Sequence, residues 1–121
     1  MTNSTNPPPE VLLPLSVPVF QILLSLAERD RHGYGIIGNV RKRSRDEVVL
    51  STSTLYGAIK RMMRDGLVER SDMRPDPDLD DERRRYYRIT EFGKEVAACE
   101  VQRIKRLAEM VRGTQFAQRA H

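Results

Sequence analysis

The apolar positions of residues 51–67, STSTLYGAIKRMMRDGL, recur at helical spacing. Leu55, Ile59, Met62 and Met63 make one buried stripe. Ser51 suits the N-cap, where a hydroxyl oxygen accepts an otherwise unbonded backbone N–H. Gly66 suits the left-handed position just past the helix, which is free of strain only without a Cβ. Leu67 would then fold back on Met62. The opposite face carries Ser53, Tyr56, Gly57, Lys60 and Arg64, with Thr52 and Arg61 at its edges. Such a face is either an ordinary solvated surface or one suited to a nucleic-acid groove, where hydroxyls and cations meet phosphates and base edges. Gly57 in mid-helix loses about 1 kcal/mol relative to Ala, which suits the close approach of another backbone.

The flanking patterns supply the other elements. Residues 11–29 predict a first helix with Pro18 in its first turn, where the missing N–H costs little. Val19, Phe20, Ile22, Leu23, Leu24, Leu26 and Ala27 leave it almost no polar face. A helix so apolar is buried on more than one side, and in a small protein this points to a partner subunit at Phe20 and Leu24. Residues 30–32 read as a turn and residues 33–43 as a second helix with Tyr34, Ile37 and Val40 inward and Ile36 near that face. Gly35 and Gly38 suit a close helix crossing. Arg41, Lys42, Arg43 and Arg45 cluster at its end, as a solvated basic end or as a reach toward phosphates. Helix, short turn and polar-faced helix make a helix-turn-helix order.

Residues 67–72 and 84–90 alternate as a β-hairpin, with Tyr87 and Ile89 on one face and Tyr86 and Arg88 on the other. Between them Pro75 and Pro77 break regular structure, and an acidic run from 76 to 82 is followed at once by Arg83, Arg84 and Arg85. The run lacks the central Gly and terminal Glu of a calcium loop, so it reads as a self-neutralised loop. Thr90 caps a last helix over residues 91–112. Along it Ala97, Val101, Ile104, Ala108 and Val111 step by four, three, four and three, with Leu107 alongside. That is a coiled-coil-like seam. At 1.5 Å per residue the helix is roughly 33 Å long, longer than so small a core covers, which favours a seam between subunits.

The length, 121 residues, suits one domain, and 39% hydrophobic with 31% charged residues suits a globular chain with a highly charged surface. The single cysteine, Cys99, cannot form an internal disulfide, which fits a reducing compartment. No apolar run approaches the roughly 18 residues of a membrane span, and the first ten residues lack the order of a signal peptide. The expected location is the cytoplasm. Net charge is +4, and residues 31–70 hold nine basic against four acidic side chains, so the basic excess coincides with the central helices. His32 and His121 are the only histidines. With no nucleophile–base pair and no ligand cluster, neither an enzyme nor a metal or other cofactor is expected.

Taken in order, His32-Gly33-Tyr34-Gly35-Ile36, Ser51, Thr54-Leu55-Tyr56, Asp65-Gly66-Leu67-Val68, Arg85-Tyr86-Tyr87-Arg88-Ile89-Thr90 and Gly93 resemble the PadR-like transcriptional regulators over residues 20–95. The resemblance implies a mainly α fold with a small β-hairpin, a winged helix-turn-helix whose C-terminal helix serves dimerisation. With the polar, proline-rich residues 1–10 read as a disordered tail and residues 114–121, past Gly113, as a loose one, the chain divides into those tails, a DNA-binding domain (11–90) and a dimerisation helix (91–113). The resemblance also implies a homodimeric regulator, commonly a repressor, on a palindromic operator in double-stranded DNA, with room for a small-molecule effector. The helix from Ser51 becomes the recognition helix and the hairpin the wing. Ser51, Thr52, Ser53, Tyr56, Lys60 and Arg61 are then expected at the groove and phosphates, with Arg64, Arg84 and Arg85 at phosphates alone. Phe20, Leu24, Ala97, Val101, Ile104, Leu107, Ala108 and Val111 are expected in the dimer interface. The chain departs from the family at Ser53, where Gly is common, and at Gly57, where Pro is. It has no Trp, so the family's tryptophan-based binding of planar aromatics does not carry over. The rival reading is a winged-helix module that binds another protein and not DNA.

Overall fold

A computed structural model of the chain describes residues 6–72 and 85–119. A 3₁₀ turn at Pro9–Leu12 precedes α1 (Val17–Glu28), β1 (Arg31–His32), α2 (Gly33–Arg43), α3 (Thr52–Arg64), β2 (Val68–Ser71), β3 (Tyr86–Ile89) and α4 (Glu91–Val111), with a last 3₁₀ turn at Ala117–Arg119. The strands form an antiparallel sheet in the order β1-β3-β2. Helices α1, α2 and α3 pack on one another, and α1 also touches β3 and α4. This is the winged helix-turn-helix arrangement. Its core is built from Ile22, Leu23 and Leu26 of α1, Ile36 and Val40 of α2, Leu55, Ile59 and Met62 of α3, and Phe92 and Val96 of α4. No helix among the described residues is long and apolar enough to cross a membrane.

The structure alters several expectations. The first helix begins at Val17, with Pro18 in its first turn as expected, and Ser16 caps it by accepting the Val19 N–H. The residues before it form a strap. Its Pro9–Leu12 turn packs against α4, so residues 9 and 10, expected within a disordered tail over 1–10, begin an ordered turn; residues 1–5 lie outside those described. Residues 31–32 are a short strand and not a turn, because Tyr87 and Tyr86 of β3 offer them a ladder. On α2 the buried side is Gly33, Ile36 and Val40, spaced three and four apart. Tyr34, placed inward by the sequence reading, is 50% exposed. Gly38 faces open space and Gly35 meets only side-chain atoms of His32 and Arg31, so neither makes the expected helix crossing. The stripe of α3 is Leu55, Ala58, Ile59 and Met62, whereas Met63 turns outward. The acidic loop, including Arg83 and Arg84, falls outside the described residues.

Both ends of α4's anchorage are defined. Thr90 caps it, its Oγ1 accepting the Gly93 N–H at 2.9 Å. The Leu67 carbonyl lies where a Cβ on Gly93 would stand, 2.2 Å away, so only glycine lets α4 cross the start of β2 this closely.

Candidate nucleic-acid interface

The polar face of α3 is presented by a helix fixed at both ends. At its start the Ser51 Oγ accepts the Thr54 N–H at 3.1 Å, and the hydroxyls of Ser53 and Thr54 lie within 3.3 and 2.9 Å of it. At its end Gly66 has φ +78°. The Leu67 N–H reaches back to the Met62 carbonyl at 2.8 Å and the Gly66 N–H to that of Met63 at 3.2 Å. This is the pair of bonds that closes a helix on a left-handed glycine. Between these ends one side is core and the other is open.

On the open side Thr52, Ser53, Lys60, Arg61 and Arg64 are exposed. Lys60 and Arg61 have no ion-pair partner among the described residues, whereas Arg64 lies 3.4 Å from the Asp65 carboxylate. Gly57 is half-buried, and a Cβ there would meet only the Arg61 guanidinium at 3.6 Å. Among the described residues no backbone outside its own helix lies within 4 Å of that position. Hydroxyls at a helix start, followed by unpaired cations two turns on, can donate to phosphate oxygens and guanine edges.

Tyr56 stands apart from its neighbours. It is half-buried, packs against the core and lies over the start of α2. A Cβ on Gly33 would fall 2.2 Å from its hydroxyl oxygen. The tip expected at the groove is therefore used to join the two helices of the helix-turn-helix. The sequence held one signal for this contact, a glycine at the first position of a helix, but a glycine there is also ordinary.

The start of α2 is held from below as well. His32 caps it, Nδ1 accepting the Gly35 N–H at 3.0 Å, with the ring edge-on to Tyr86 at 5.4 Å. Within the sheet Arg88 and Glu69 pair across β3 and β2 at 3.0 Å, and the Ser71 hydroxyl ties it to its surroundings by donating to Asp30 at 2.6 Å. Arg85 is half-buried at the foot of β3. The basic cluster after α2 is partly neutralised, since Arg41 pairs with Asp46 at 2.7 Å and Arg43 with Glu28 at 3.1 Å. Among the described residues no group of His, Cys, Asp or Glu could hold a metal ion.

The residues expected at a subunit interface divide in two. Phe20 and Leu24 on α1, and Ala97 and Val101 on α4, are half-buried in the single chain. Farther along α4, Ile104 is 41% and Leu107 46% exposed, Ala108 is exposed, and Val111 is half-buried. Met110, which the sequence reading passed over, is 71% exposed. Glu100 was also missed. It is buried on the same helix, and nothing in a strongly charged stretch marks one carboxylate as the buried one.

Comparison with known proteins supplies the context. The model of the transcriptional regulator PadR-like family matches residues 22–98. A transcriptional regulator from Clostridium thermocellum shares the fold with a TM-score of 0.65 at 26% identity, over 81% of this chain and 89% of that one. A PadR family transcription regulator from hypervirulent Clostridium difficile superposes with a TM-score of 0.64 at 25% identity, over 81% of this chain and 97% of the other. An uncharacterised protein from Lysinibacillus sphaericus is 32% identical over 75 residues, 60% of this chain, and the match spans 64% of that protein's length.

Proposed function

The chain belongs to the PadR-like family of transcriptional regulators, and from that premise we propose that it is a homodimeric, sequence-specific DNA-binding repressor of a palindromic operator. One observation carries the reading. Among the described residues, α3 turns Thr52, Ser53, Lys60 and Arg61 to solvent on a helix whose opposite face is wholly core. That helix enters a major groove. Thr52 and Ser53 approach the backbone or base edges at its N-terminal end, and Lys60 and Arg61 meet phosphates or guanines. Ser51 serves through its cap, and Tyr56 acts by holding α3 on α2. The wing's Arg85 reaches phosphate from the side.

The dimer is formed by the far half of α4. Ile104, Leu107 and Met110 place three large apolar side chains on a stretch that the other described residues leave exposed. A second copy covers them in a two-fold seam. The two recognition helices then face half-sites about 34–36 Å apart, or a multiple of that.

Selection of the purified protein on a random duplex pool at two salt concentrations tests the proposal. A palindrome should be enriched, with affinity falling as salt rises, because each neutralised phosphate releases a counterion. Lys60→Ala should weaken binding across all sequences and flatten the salt slope by about one. A second reading, a module that binds another protein, draws on the ion pairs of Arg41, Arg43 and Arg64, which reduce the cationic field. No enrichment and no salt dependence would favour it.

A further inference from the structure

The helix α4 changes character at Glu100. Before it Phe92, Gly93 and Val96 are buried against the domain, and after it no residue of the helix is buried. Glu100 is thus the last buried residue of α4. Its side chain is 2% exposed, and a buried carboxylate is costly unless other groups compensate it. Two do. Arg103, one turn on, forks onto it, with Nε 2.5 Å from Oε1 and Nη2 3.0 Å from Oε2. The backbone N–H of Leu15 donates to Oε2 at 3.0 Å, across 85 positions of sequence.

Leu15 belongs to the strap that precedes α1, and the strap touches both working parts of the molecule. Its Pro9–Leu12 turn packs on α4, where the Cys99 thiol donates to Glu10 at 3.7 Å. Its other side, Leu12, Pro14 and Leu15, faces Arg61, Met62 and Asp65 at the end of α3 across a pocket of about 140 Å³. A single carboxylate therefore ties α4 to the strap, whose far side lines the pocket at the end of α3.

We propose that Glu100, bound at once by Arg103 and by the Leu15 N–H, is a positioning residue: it fixes the angle at which α4 leaves the DNA-binding domain, and so the separation of the two recognition helices. The proposal rests on the dimer reading above. Leverage makes the angle matter. The free part of α4, residues 101–111, is about 16 Å long, so a tilt of about 10° at Glu100 displaces its far end by about 3 Å. That is close to the step of one base pair, about 3.4 Å, and the two subunits double it. A dimer whose helices leave at a loose angle cannot hold one half-site spacing.

The test is the distance between recognition helices in the free full-length protein. Spin labels are placed at Met63→Cys, an exposed position on α3 outside the proposed contact set, with Cys99→Ser to remove the native thiol. Pulsed dipolar spectroscopy should give a narrow inter-subunit distance in this background. Glu100→Ala should broaden it by about 6 Å, twice the displacement worked out above, with helical content by circular dichroism unchanged. Should Glu100→Ala fail to fold, Arg103→Gln, whose side chain lies nearer the surface, is read in its place with the same expectation. An equally narrow distance in the variant overturns the positioning role alone. A background protein with no inter-subunit distance overturns the dimer, and the positioning role with it.

Discussion

Gly33→Ala isolates the contact that joins the two helices of the helix-turn-helix. A methyl at position 33 would lie 2.2 Å from the Tyr56 hydroxyl oxygen, 2.8 Å from Cζ and 3.1 Å from Cε1. Optimal separations between such atoms are about 3.5–4.0 Å, so the ring must move by about 1 Å or more and give up part of its packing on the core. Overpacking of this kind costs about 1–3 kcal/mol. Alanine in place of glycine in a helix returns roughly 0.5–1 kcal/mol, leaving a net loss between about 0 and about 2.5 kcal/mol. Urea melts of Gly33→Ala, Tyr56→Ala and the double variant measure it. The conflict requires both side chains, so Gly33→Ala should be neutral or mildly stabilising once residue 56 is alanine. The same single variant should weaken operator binding, because α3 shifts relative to α2. Penalties that add to within about 0.5 kcal/mol, the behaviour of independent sites, would refute the contact.

Two further outcomes follow from the geometry. Gly93→Ala should cost more than Gly33→Ala, about 3 kcal/mol at the upper end of the overpacking range, because its Cβ would meet the Leu67 carbonyl oxygen at 2.2 Å and not a side-chain tip; urea melts that rank the two in reverse would contradict this. The hydrogen bond from Arg103, then that from the Leu15 N–H, hold the Glu100 carboxyl below the usual range against the opposing effect of burial. A carboxyl lowered in the folded state contributes stability that is present above its unfolded value of about 4.3 and lost as pH falls through the folded one. The stability gap between wild type and Glu100→Gln should therefore hold steady from neutral pH down to about 5.5 and close in stronger acid; a gap that widens on acidification would reverse the sign.

Helix α3 was legible because its signals are local. Ser51 lies three residues from the N–H it accepts, and Gly66 directly follows the cap residue Asp65. A stripe spaced three and four apart then sets which face is buried. The alternation that buries Tyr87 and exposes Arg88 is equally local. What the sequence hid is decided at a distance. An amphipathic aromatic such as Tyr34 or Tyr56 tolerates either side of a helix, and contact across 23 positions, Gly33 with Tyr56, settles one of them. Glu100 is buried by a strap 85 positions away. The strand at residues 31–32 exists only because β3 lies beside it.

The same division explains why the family could be read from the chain while the operator could not. His32 caps α2, Gly33 makes room for Tyr56, and Ile36 and Leu55 fill the core. Ser51 and Thr90 cap helices, Gly66 closes one, and Gly93 lets α4 approach β2. Of the motif residues in α2 and α3, Tyr34 is exposed enough to remain unassigned by packing. These positions hold the scaffold, and a scaffold shared by many proteins leaves the same marks in each. Thr52, Ser53, Lys60 and Arg61 fall between or beyond the motifs, on the face the scaffold leaves open. Among the described residues no packing constraint fixes the identity of Thr52, Lys60 or Arg61. Specificity for one DNA sequence has to reside in positions without such a constraint, because a residue committed to a cap or to the core cannot change with the operator.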